Sequence, residues 1–120
     1  MATLKYSLSA THTRSDIAKW YLTPAVGASV TVNDTMHSDT VTATQASPVT
    51  VALGAVTSPT YFLVDNADAT NSVNVMDDAA VLAVVPAGGA TLIPLEAGVT
   101  LKVQANVADC IINYAVFMAA

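Results

Sequence analysis

Charge is what this sequence has least of. Only 11% of its 120 residues are charged, against roughly 25% in an ordinary soluble domain. It has one Glu, one Arg, three Lys, one Trp and one Cys. Each shortage closes a class. A coiled coil or helical bundle needs Glu, Lys and Arg along its faces, and they are missing. Cys110, alone, leaves no disulfide scaffold. Low charge beside 53% apolar residues reverses the composition of a disordered chain. A net charge of −5 lacks the basic surface that nucleic acid requires, so no nucleic-acid partner is expected. At 120 residues the chain has room for one domain and one core.

Mean hydropathy is +0.53, high enough to raise the question of a membrane. The longest uncharged stretch of the C-terminal half, 79–95, contains Pro86, Gly88, Gly89 and Pro94. A spanning helix needs about 20 apolar residues and would break there. No membrane partner is expected. The opening Met1–Tyr6 also lacks the basic and apolar segments of a secretory signal. The expectation is a protein made in the cytoplasm whose apolar surface is covered by a partner or a second copy.

What the chain has is Ala, Val and Thr, which fill 54 positions. They fall in period-two alternation, the mark of strands with one buried face. Ser29–Val32, Thr40–Thr44, Val49–Leu53, Ser72–Met76 and Leu101–Ala105 all alternate. Ile112, Tyr114, Val116 and Met118 form a last series. Tyr61–Val64 is apolar on both faces and reads as a central strand. Val81–Val85 and Thr91–Leu95 flank Pro86-Ala87-Gly88-Gly89 and read as a hairpin. Nine or ten short strands predict an all-β fold, an antiparallel β-sandwich of jelly-roll type. An N-terminal arm over 1–23 precedes it, and the sandwich domain spans 24–120. The one helical candidate is Asp16–Tyr21, with Thr13 and Asp16 in capping-box spacing and Pro24 beyond its end.

The two parts differ in charge. Residues 1–20 sum to +2, and residues 21–120 sum to −7. A basic arm before an acidic body points to contact with an acidic neighbouring surface. Lys5, Arg14, Lys19, Trp20 and Tyr21 are the candidate partner-binding residues. Exposed ion pairs contribute little each, so Trp20 and Tyr21 would supply most of the anchoring. Small side chains make a thin core, and only Lys5 and Lys102 guard predicted strands against edge-to-edge pairing. A homo-oligomer is expected.

Chemistry is sparse. His12 and His37 sit in polar stretches that read as exposed loops. His37-Ser38-Asp39 offers two metal ligands at most. Gly27-Ala28-Ser29 lacks the second glycine of a nucleophile elbow. The run Asp65–Asn71, extended to Asp77, echoes a calcium loop but reads as a strand-connecting turn with room for at most a weakly held cation. Asp77 and Asp78 would point apart as strand neighbours, so the pair reads as a solvated turn and not as an acid/base dyad. Asn33-Asp34-Thr35 reads as a polar turn, and Cys110 as a buried thiol. No enzyme, no cofactor, no metal and no catalytic residue is expected.

Tyr61–Asn66, Asn71–Val75, Pro86–Gly89, Ile93–Leu95 and Ile112–Tyr114 form a series of strand segments around a Pro/Gly turn, ending in an I-x-Y-x-V strand. Over 60–118 this pattern resembles small structural proteins of tailed-bacteriophage virions. The resemblance implies a jelly-roll auxiliary protein of the virion, a capsid cement or decoration protein that stabilises the assembled head. Its partner would be the major capsid protein, its place the capsid exterior, its symmetry trimeric, and it would be made in the host cytoplasm. The alternative is a tail or baseplate module that binds carbohydrate or a receptor. The resemblance transfers no site residues.

Overall fold

In the C-terminal segment Ile112, Tyr114 and Val116 are buried, while Ile111 and Asn113 between them are exposed. That alternation places one face of a strand in a core, and it recurs along the chain. The computed structural model describes residues 2–6 and 28–119, with side chains from Val32 onward. It holds nine strands: β1 (Ala2–Tyr6), β2 (Ala28–Ala43), β3 (Val49–Thr50), β4 (Pro59–Asn66), β5 (Val73–Asp77), β6 (Ala80–Val85), β7 (Ala90–Pro94), β8 (Leu101–Ala105) and β9 (Cys110–Ala119). No helix lies among the described residues, so none is long and apolar enough to cross a membrane. The helical candidate Asp16–Tyr21 lies outside the described residues.

Every strand pair is antiparallel. One sheet runs β1-β2-β9-β4-β7 and the other β3-β8-β5-β6. Setting β1 aside, β2 pairs with β9, β3 with β8, β4 with β7 and β5 with β6. This is one long ribbon, turned at the β5–β6 hairpin and wrapped into two four-stranded sheets. It is the jelly-roll form of the antiparallel β-sandwich. The hairpin turn is only Asp78-Ala79, between the paired Asp77 and Ala80. Asp78 takes a left-handed φ of 51°, which Asp tolerates better than most side chains.

β1 adds a fifth strand to the edge of the large sheet. Ala2–Tyr6 pair with Ala28–Val32 of β2, so the start of the predicted arm belongs to a sheet. The next match, Val32 to Ala119, starts the pairing of β2 with β9. The β1–β2 ribbon therefore carries Tyr6 and Ala28 about 13 Å beyond the last β2–β9 pair.

The core fills the space between the sheets. Phe62, Val64, Ile112, Tyr114 and Val116 of the large sheet meet Val73, Val75, Val85, Leu101 and Val103 of the small one. Tyr114 is tolerated there because its hydroxyl donates to Ala52 O at 2.7 Å. Its ring lies 5.7 Å from Phe62 and 6.0 Å from His37.

The structure corrects three sequence readings. Val81–Val85 and Thr91–Leu95 are not a hairpin. β6 pairs with β5 and β7 with β4, so Pro86–Gly89 carries the chain from one sheet to the other. Ser29–Val32 and Thr40–Ala43 belong to a single sixteen-residue strand, with Thr44 just past its end, and Asn33-Asp34-Thr35 falls inside it, at the irregularity between Val32 and Met36. His37 lies in that strand and not in a loop, opposite the core residue Val116.

The imidazole of His37 packs against Gly54, which has a left-handed φ of +57°. A Cβ there would sit 2.5 Å from His37 Nδ1. Gly54→Ala should therefore destabilise twice over, through a backbone cost of about 1–2 kcal/mol and through collision with the ring. Combining it with His37→Ala should recover the steric part alone. Chemical denaturation of the two single variants and the double variant measures that coupling.

Candidate functional site

Of the candidate partner-binding residues, only Lys5 falls among the described residues. Lys5 stands in β1, opposite Ser29. Arg14, Lys19, Trp20 and Tyr21 lie outside the described residues, as does His12.

His37 and Asp39 share the inward face of β2, opposite Val116 and Tyr114. His37 Nε2 is buried, makes no hydrogen bond and sits 3.8 Å from Asp39 Oδ2. Asp39 and Tyr114 are the other titratable groups here, and burial pushes the Tyr114 hydroxyl upward, helped by the Asp39 charge. Among the described residues, no three His, Cys, Asp or Glu side chains come together as metal ligands.

The polar run after β4 is a strand crossing organised by one side chain. Asn66 ends β4 and is fully buried. Its Nδ2 donates to Asn71 O at 2.8 Å and to Val85 O and Pro86 O at 3.2 Å. Its Oδ1 accepts from Asp68 N at 3.1 Å. Asp68 Oδ2 in turn accepts from Thr70 N at 2.9 Å and Asn71 N at 2.6 Å. These backbone donors hold the Asp68 carboxyl below its ordinary value of 3.8. The carboxylate that a cation loop would need is thus engaged by the chain itself. Asp77 is at the other end of β5, about 13 Å away along the strand, where its Oδ1 accepts from Thr100 N. The structure therefore separates the carboxylates that the calcium-loop spacing had joined.

Cys110 opens β9 beneath this crossing and is buried. Its Sγ lies 3.3 Å from Ala108 O. Burial raises the thiol, and the charges of Asp68 and Asp109 raise it further. A thiol kept protonated is a poor nucleophile.

The extended feature is the outward face of the large sheet. Register aligns Met36, Phe117, Tyr61 and Pro94 in one row across β2, β9, β4 and β7. The next row is Ser38, Ala115, Leu63 and Leu92, and the third is Thr40, Asn113, Asp65 and Ala90. Among these twelve positions Asp65 is the only charge. Met36 and Leu63 remain 48% and 40% exposed. Phe117 and Ala115 are buried on this face, in a cluster with Val32 and Tyr61. A shallow depression lined by Leu63, Asp65, Asn113 and Ala115 opens beside it. The sequence signal for this face was the consecutive run Ala115-Val116-Phe117, apolar in both phases of the alternation.

No protein-family model, curated protein or solved structure matches the chain.

Two outcomes follow from the Asn66 network. Asn66→Leu removes the donor to three carbonyls and should lower stability by about 3 kcal/mol in urea denaturation. Asp68 has a lowered folded value, so its contribution is present above pH 4 and is lost as pH falls through that value. Melting temperature followed from pH 5 to 2.5 should fall less steeply in Asp68→Asn than in the unmodified chain.

Proposed function

We propose that the chain is a non-catalytic structural protein that works by its faces, a cement or decoration protein of a tailed-phage head. The observation that supports this reading is the outward face of the large sheet. It presents three uncharged rows broken only by Asp65. Such a face suits docking on broad, shape-complementary protein surface. A jelly roll is a common vehicle for that role, although a fold alone does not assign a function. The motif resemblance over 60–118 points in the same direction. In this reading a trimer sits across neighbouring major capsid subunits on the head exterior. Binding the assembled shell and not its free subunits stabilises the shell by mass action.

The test is co-sedimentation of the full chain with heads of the phage whose genome encodes it, intact and after dissociation. Saturable binding to intact heads alone is expected, together with a higher melting temperature of the loaded heads. Met36→Lys and Leu63→Lys change exposed side chains and should keep the fold while weakening binding by about tenfold or more. Absence of binding to intact heads overturns the reading. Specific retention on a glycan array in its place would establish the tail or baseplate alternative.

A further inference from the structure

The outer strands of the two sheets, β6 and β7, run side by side along one flank of the sandwich. Between them lies a groove of about 220 Å³. Leu82, Ile93, Pro94 and Val99 provide its apolar surface, and Asp77 and Glu96 stand on it as carboxylates. Among the described residues no cation lines it, and Lys102 is engaged with Asp78 at 2.9 Å. β6 is the edge strand of its sheet, and Val81, Leu82 and Val84 are all about half exposed. An apolar, uncharged edge of this kind is an open invitation to a partner.

The chemistry that fits is an aromatic anchor flanked by cations. One stretch of this sequence has that character: Arg14 to Tyr21, with Arg14, Lys19, Trp20 and Tyr21. The rest of the chain is acidic, so the pairing is complementary in sign. We propose that this groove receives residues 14–21 of a second copy of the chain, with Trp20 against Leu82 and Ile93 and the cations facing Glu96 and Asp77.

A neighbour's groove is favoured over the chain's own. The β1–β2 ribbon holds Ala28 beyond the last β2–β9 pair. Eight residues join Trp20 to Ala28, a reach of about 27 Å when fully stretched. The chain's own groove lies three strands across and some eight residues back along β2, about 30 Å off. Reaching it would need a fully taut tether, whereas a neighbouring copy imposes no such demand. An arm-to-groove contact joins two different surfaces, and contacts of that type form a ring when the rotation between copies closes. The inference thus deepens the proposed assembly by naming the contact between copies. Its test uses the purified chain alone, so its outcome is independent of head binding.

Light scattering over a concentration series should give a mass that rises above 12.3 kDa toward three times that value. Trp20→Ala should weaken the association by about a hundredfold. Glu96→Lys and Lys19→Glu should each weaken it by about fivefold, and the two together should restore it. Two tagged chains, one with Ala18→Cys and the other with Ala97→Cys, beside Lys19 and Glu96 and outside the anchor contact, should form a mixed disulfide dimer on oxidation. The native thiol, Cys110, is buried and does not compete. A mass fixed at 12.3 kDa over the whole series overturns the proposal. So does a chain carrying both cysteines that closes only on itself, or a mixture that forms no cross-link.

Discussion

The buried amide of Asn66 is the interaction on which the architecture turns. A jelly roll must carry its chain from one sheet to the other several times, and each crossing exposes backbone groups that no strand partner satisfies. Two crossings meet at Asn66, from β4 to β5 and from β6 to β7. One side chain, with two donors and one acceptor oxygen, joins Asn71, Val85, Pro86 and Asp68. The backbone adds its own links, Asn66 N to Gly89 O and Gly88 N to Asp68 O. Two loops far apart in sequence are thereby fixed to each other and to the end of β4. Cys110 completes the floor of this region, and its burial follows from how tightly the crossings are drawn together.

Much of the sandwich was legible because alternation is a local property. The last strand announces itself in Ile112, Tyr114, Val116 and Met118, and β8 in Leu101, Val103 and Ala105. Other features depend on partners distant in sequence. The turn Pro86–Gly89 signals a reversal but not which sheet the next strand enters, since both sheets are apolar inside. His37 looks like a loop residue among Asn33, Asp34, Ser38 and Asp39. It is a strand residue because β9 pairs alongside it and the Gly54 loop packs over its ring. The role of Asn66 is equally hidden, since the carbonyls of Val85 and Pro86 lie some twenty positions away. Asp68 and Asp77 are twelve-residue-loop ligands by spacing only; Asp68 lies in the crossing before β5 and Asp77 at the far end of that strand.

The scarcity of charge has a structural counterpart. In many sandwiches Lys and Glu clothe the outward faces. Here Thr, Ser and Asn take those places, and apolar residues take the rest. The large sheet presents Met36, Tyr61, Leu63 and Leu92 in ordered rows, and the small sheet ends in an apolar edge strand. Surfaces of this kind gain most when another surface covers them, because burying them releases water without stripping ions of their hydration. The two surfaces adjoin at Pro94, one facing outward from the large sheet and the other running along the flank.

The central position of β9 in the large sheet bears on how the protein is made. β9 lies between β2 and β4 and supplies the pairing edge to both. During synthesis β2 and β4 are exposed first, each lacking the neighbour that separates them from solvent. Among the described strands, only the β5–β6 hairpin, closed by Asp78 and Ala79, forms from residues adjacent in sequence. The pairs 4·7, 3·8 and 2·9 bridge ever longer loops, and longer loops close more slowly. The large sheet therefore stays open until residues 110–119 have left the ribosome. A nascent chain with sparsely charged, unpaired strands is the species most prone to aggregate or to attract a chaperone.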